Sequence, residues 1–255
     1  MPKAIHLILA LFISIPTISI SAPTPPGIDP YEVSRKLDEL YRSSSSRGEM
    51  TMTVTTKHYS RTVAMKMWSR GLDDTLAVIT SPAKERGTAT LKRDREMWNY
   101  LPKIDKTIRI PPSMMMASWM GSDFTNDDLM RETSWEKDYT ISLKDDAPEG
   151  AVGLVYIPKP DAPVTWSKVV GYMQLGTYLP ISIEYYDEKD RKVREMTFDE
   201  PTKMGGRTIP SRVILTPLSE DKLGNSTVLV YEKMEFDIPL EENLFSLSAL
   251  RRRGR

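Results

Sequence analysis

The chain contains no cysteine. Disulfides, thiolate metal sites and a cysteine nucleophile are therefore excluded. It has only two histidines in 255 residues, and one of them, His6, lies in the first apolar segment. The other, His58, follows a Thr- and Lys-rich strand and reads as an ordinary strand-end residue. Neither a nucleophilic triad nor a His-based metal centre can be assembled around it. Excess charge is missing too: 35 Lys+Arg balance 35 Asp+Glu. A general nucleic-acid binder usually shows a basic excess or a basic face, and the composition supplies no excess. There is no phosphate-cradling glycine loop, and Gly205-Gly206 reads as a hairpin turn. The acidic cluster Asp123, Asp127, Asp128 lacks the spacing and closing Glu of a calcium loop. It reads as helix capping and dipole compensation. No carboxylate pair stands out for glycoside chemistry, so no catalytic residue, metal or cofactor is expected. After the first 22 residues, no apolar run approaches the about 20 residues of a membrane-spanning helix.

What is present begins with an address. Residues 1–22 (MPKAIHLILALFISIPTISISA) have a basic Lys3, an apolar stretch from Ile5 to Ile15, and small residues at Ser19, Ser21 and Ala22. This predicts a cleaved secretory signal peptide. The alternative is an uncleaved anchor, against which stand the short apolar run and Pro16. Residues 23–255 are expected to form a single domain. With no cysteine at the cleavage site, the mature chain cannot carry the N-terminal lipid of a lipoprotein.

In that mature chain, Asp29 and Pro30 announce a helix start, followed by the apolar stripe Val33, Leu37, Leu40, Tyr41. The Ser-rich run 43–48 ends it. From Glu49 the period changes to two, with Met50, Met52 and Val54 alternating with threonines. Twelve further strands are expected: 61–69, 75–80, 87–92, 95–101, 106–110, 138–144, 151–157, 165–173, 179–187, 192–199, 208–216 and 226–236. Short links such as Arg70-Gly71, Gly176-Thr177 and Gly224-Asn225 carry turn chemistry. Such a succession implies an antiparallel meander rather than a βαβ fold. No repeat or shift in composition marks a second domain.

Residues 109–130 (RIPPSMMMASWMGSDFTNDDLM) interrupt the meander. Pro111 and Pro112 stop a strand. The pattern predicts one short helix over Met114 to Met120 and a second after Thr125. The first is apolar on nearly every side and must be buried or enter an apolar cavity. Ten of the 15 methionines lie between Met50 and Met130. A Met-rich core is the plain explanation for each alone. A helix of them inside a curved sheet suggests a plug for a space suited to acyl chains. Arg251, Arg252, Arg253 and Arg255 form a basic tail, either solvated or touching anionic lipid.

Four segments resemble the outer-membrane lipoprotein-sorting protein family, relatives of the periplasmic lipoprotein carriers (LolA-like). They are SPAKERGTATL (81–91), MWNYLPKIDKTIRIPPSMMMASWMGSDFTNDDL (97–129), LPISIEYYDEKDRKVREMTF (179–198) and GGRTIPSRVIL (205–215). The resemblance spans essentially the whole mature chain. It implies a mainly β (α+β) curved antiparallel half-barrel of about 11–13 strands, with an N-terminal helix and short lid helices on the concave face. It implies a periplasmic chaperone-like carrier of lipoprotein acyl chains or other lipids, with no catalytic residues. An inner-membrane transporter of ABC or RND type is the expected donor. By position, Met114, Met115, Met116, Trp119 and Met120 match the lid, and Phe124, Leu129 and Met130 match the second short helix. Trp98 and Tyr100 should line the sheet surface, with Leu76 and Val78 as further liners if strand parity holds. The well-studied carriers have a shorter lid of different composition, so their cargo contacts do not transfer. The competing expectation is an accessory or sensor subunit of an envelope transporter, using the same fold as a protein-binding module.

Overall fold

The computed structural model describes residues 27–41, 43–130, 135–162 and 164–254, with Met130 described by its backbone alone. The segment assigned to a signal peptide lies outside the described residues. Helix α1 (Pro30–Glu39) starts where expected, with the Asp29 carboxylate accepting from the Tyr31 amide at 2.9 Å. The first run of strands is β1 (Ser45–Thr55), β2 (Ser60–Arg70), β3 (Asp74–Ser81), β4 (Ala89–Arg93), β5 (Glu96–Leu101) and β6 (Lys106–Arg109). Two short helices follow, α2 (Asn126–Met130) and α3 (Trp135–Asp138). The second run is β7 (Tyr139–Lys144), β8 (Ala151–Pro158), β9 (Lys168–Gln174), β10 (Pro180–Tyr186), β11 (Lys192–Met204), β12 (Arg207–Pro217) and β13 (Ser226–Phe236). Helix α4 (Leu247–Gly254) comes last.

All 13 strands form one curved, open antiparallel sheet in the order β6-β5-β4-β3-β2-β1-β13-β12-β11-β10-β9-β8-β7. Two meanders are thus joined where β1 pairs with β13. The two edges, β6 and β7, are neighbours in sequence. Residues 110–138 must therefore cross from one edge of the curved sheet to the other, which puts the expected lid over the concave face. Strand β1 begins four residues earlier than the alternation predicts. The serines join the sheet because Ser46 and Ser69 satisfy each other's hydroxyls at 2.7 Å within the buried layer.

Cross-strand register assigns the faces. Met50, Met65 and Ile79 line up on the concave side, as do Met52 with Val63 and Leu229. On the convex side Trp68, Leu76, Leu91 and Trp98 are aligned, beside Val78, Ala89 and Tyr100. This second set is covered by the C-terminal segment through Leu244, Phe245 and Leu250. The expected solvated tail is therefore corrected: its start is a docked helix. Gly254 makes the docking possible, since a Cβ there would lie 2.3 Å from Cδ1 of Tyr100 and 2.6 Å from the Gly87 carbonyl.

Candidate functional site

The lid differs from the expected all-apolar helix. Residues Pro112–Met114 and Trp119–Gly121 form separate single turns of 3-10 helix, and Met120 sits in the left-handed region with φ 49°. The backbone donors that a helix would use internally bond across a loop instead. Trp119 N reaches Phe124 O at 2.7 Å, Asn126 N reaches Ala117 O at 3.0 Å, and Asp127 N reaches Met115 O at 2.8 Å. The loop thus has an inner and an outer side. Trp119 and Phe124 are buried, and Met115 and Met120 pack on the concave-face cluster of Met50, Met52 and Met65. Met114 and Met116 point out, 47% and 44% exposed.

Polar anchors hold this loop to the sheet. Trp119 Nε1 donates to Thr90 Oγ1 at 3.1 Å, and the Arg61 guanidinium donates to the Met120 carbonyl. Thr227 Oγ1 accepts from the Asp123 amide at 3.0 Å and donates to its carboxylate at 2.8 Å. The strongest anchor is a fork of two 2.8 Å bonds from Arg194 on β11 to Asp128 on α2. Their side chains are only 5% and 9% exposed. Rings of Tyr185 and Trp166 lie 4.0 and 4.6 Å from the guanidinium carbon. Burial works against the charge of Arg194, but the Asp128 carboxylate overcomes it and holds the pKa above the ordinary arginine value. Sequence reasoning gave Asp128 only a helix-end role and passed over Arg194.

Between lid, α1 and concave sheet lies a cavity of about 270 Å³. Its wall includes Met50, Met67, Met196, Met234, Phe198, Val213 and Leu229, with Trp119, Phe124 and Leu129 from the lid side. Most polar members of the wall are occupied with protein partners: Ser46 with Ser69, Asp128 with Arg194, Asp38 with the Trp135 amide at 3.1 Å, and the Tyr41 hydroxyl with the Pro210 carbonyl. The surface offered to a guest is thus chiefly apolar. At the α1 end, sharing Asp38 and Leu72, the cavity adjoins a polar hollow of about 540 Å³ bordered by Arg35, Glu39, Arg207 and Asp237.

Of the twelve residues singled out from the sequence, Trp119, Phe124 and Leu129 line the cavity, and Met115 and Met120 back it. Met114 and Met116 face outward, and the Met130 side chain lies outside the described residues. Leu76, Val78, Trp98 and Tyr100 are corrected to the convex face, under α4. The methionines Met50, Met67, Met196 and Met234 of β1, β2, β11 and β13 were missed as liners, although the alternation Met50, Met52, Val54 was a readable signal for the first. Among the described residues, no group of three or more His, Asp or Glu could hold a metal ion. Nor is any helix long and apolar enough to cross a membrane.

A family model described as "-like: Uncharacterized protein" matches residues 71–252. No curated protein matches the chain. Among solved structures, a DUF1329 family protein from Desulfovibrio piger is 27% identical with a TM-score of 0.77, over 88% of this chain and 100% of that one. An outer membrane lipoprotein-sorting protein domain from Vibrio parahaemolyticus is 24% identical with a TM-score of 0.74, over 87% and 98%. A LolA superfamily protein from Nitrosomonas europaea is 21% identical with a TM-score of 0.72, over 88% and 100%. The last two likenesses, both under 25% identical, show a shared fold. The chain belongs to the family whose model spans residues 71–252, and its fold is that of the LolA superfamily protein and the lipoprotein-sorting domain.

Proposed function

We propose that the protein is a periplasmic carrier that holds the acyl chains of lipoproteins or other lipids and passes them from an inner-membrane transporter toward the outer membrane. The observation that carries this reading is the lidded cavity, whose lining is dominated by methionine and other apolar side chains and whose charged groups are bonded to protein partners. Acyl chains need apolar area and few hydrogen bonds. Burial of roughly 300 Å² at about 25 cal/mol per Å² supplies about 7 kcal/mol before ordering costs. Methionine walls repack around tails of different length. No covalent step is required of any residue.

The test is mass spectrometry of organic extracts from protein purified out of the periplasm, together with titration by a fluorescent fatty acid. Copurified lipid and saturable uptake are expected. Val213→Trp, which fills the cavity from β12, should reduce uptake at least tenfold while the protein stays folded. A protein that comes out empty and ignores the probe overturns the reading.

A further inference from the structure

In an antiparallel meander alternate turns fall at the same end. The β1–β2, β3–β4 and β5–β6 turns therefore share one rim of the half-barrel. They carry Lys57, Lys84, Arg86, Lys103 and Lys106, all exposed. Tyr59 and Ile104, 51% and 57% exposed, stand on two of the same turns. On these three turns the carboxylates are already engaged: Glu85 pairs with Arg61 at 3.0 Å and Asp105 accepts from the Tyr100 hydroxyl at 2.8 Å, while the β12–β13 turn next to them adds exposed Glu220 and Asp221 beside Lys222. None of the five cations has an ion-pair partner among the described residues. Gly254, packed against Gly87 and Tyr100, brings the exposed Arg251 of α4 to the same corner. The opposite rim differs. Its β2–β3 and β4–β5 turns hold Arg70, Arg93 and Arg95 against Asp73, Asp74, Asp94 and Glu96. A chain of zero net charge thus has a basic stretch of rim along the turns of β1 to β6.

We propose that this rim docks on the surface of an anionic phospholipid bilayer. The lysines and arginines meet the headgroup phosphates, and Tyr59 and Ile104 enter the interfacial layer. Basic side chains near an anionic surface attract it additively, and tyrosine is at home at the membrane–water boundary. With Leu223, 50% exposed on the β12–β13 turn, these apolar side chains stand singly on separate turn tips. A bilayer accepts side chains one at a time, whereas a protein partner would call for a continuous apolar patch. The rim also lies at the end closed by the lid, because Arg61, bonded to Glu85, is the residue that donates to the Met120 carbonyl. Docking there would place the lid next to the membrane.

The test is flotation of the purified protein with vesicles of phosphatidylcholine alone or with about one third phosphatidylglycerol, at low and high salt. Binding to the anionic vesicles at low salt is expected, with release as salt screens the charges. At about fivefold per charge, Lys103→Gln with Lys106→Gln should weaken binding about 30-fold. Ile104→Asp should weaken it at every ionic strength, and Lys203→Gln on the other rim should leave it unchanged. These positions are exposed, and an unaltered thermal transition verifies folding. No flotation at low salt, equal flotation with pure phosphatidylcholine, or an unaffected double variant overturns the proposal. So does capture of an acidic protein in place of vesicle binding. The experiment uses no cargo, so its failure is distinct from failure of the carrier reading.

Discussion

Asp128 and Arg194 bind each other through two short bonds while almost wholly buried, so each depends on the other for its charge. Asp128→Asn leaves a guanidinium uncompensated among aromatic rings and is expected to cost about 3–5 kcal/mol. The pair Asp128→Leu with Arg194→Met removes both charges and should recover most of that loss. Urea unfolding of the three variants measures it. Asp237 makes a different case. Hydrogen bonds from Ser43 and Ser44, with Arg207 beside them, hold its carboxyl down to about 2 from an ordinary 3.8. Folding therefore favours the ionised form. That contribution is complete above the unfolded value of 3.8 and is lost as the pH falls toward about 2. Asp237→Asn should lower the thermal midpoint near neutral pH, and the gap to wild type should close across that window. Neither partnership was legible beforehand: Asp128 and Arg194 are 66 residues apart, and no local pattern joins them.

Among the elements, the strands were the most readable. Strand β1 shows why, with alternate residues buried against the concave core. Facing direction was lost where both sides of a strand are covered. Leu76, Ala77, Val78 and Ile79 are buried in succession, two under α4 and two on the concave side. Such a run carries no parity. Since α4 was not foreseen, nothing indicated a second cover. Leu250→Ala should cost about 2–5 kcal/mol and loosen α4, raising the acrylamide quenching of Trp68 and Trp98 beneath it. The lid was legible as an interruption bounded by Pro111 and Gly121, but its cross-loop hydrogen bonds were not. The lid can be pinned, because the protein has no cysteine of its own. Asp123→Cys with Thr227→Cys places two thiols where a 2.8 Å contact now ties the lid to β13. Oxidation of this variant should slow uptake of a fluorescent fatty acid, and reductant should restore it.

On the scale of the whole molecule, the two halves of the open sheet are joined by a pairing that no neighbouring segments make. Strand β1 meets β13 almost the full chain length away, and the two meanders lie to either side. Each meander was readable from alternation and turn residues. The junction was not legible, because register between distant strands leaves no local trace. The same topology gives the segment 110–138 a mechanical property. It is tied to both free edges of the sheet, at β6 and at β7, and its anchors to β2, β11 and β13 must yield before it can follow the width of the mouth. If the edges spread, the strap is drawn straight and Trp119 is lifted from the cavity. If they relax, slack returns and the plug drops back. On the proposed carrier reading, the girth of a guest would become tension along a cord of fixed length. Relatives that differ only in that length would be set to different sizes of guest on an unchanged sheet.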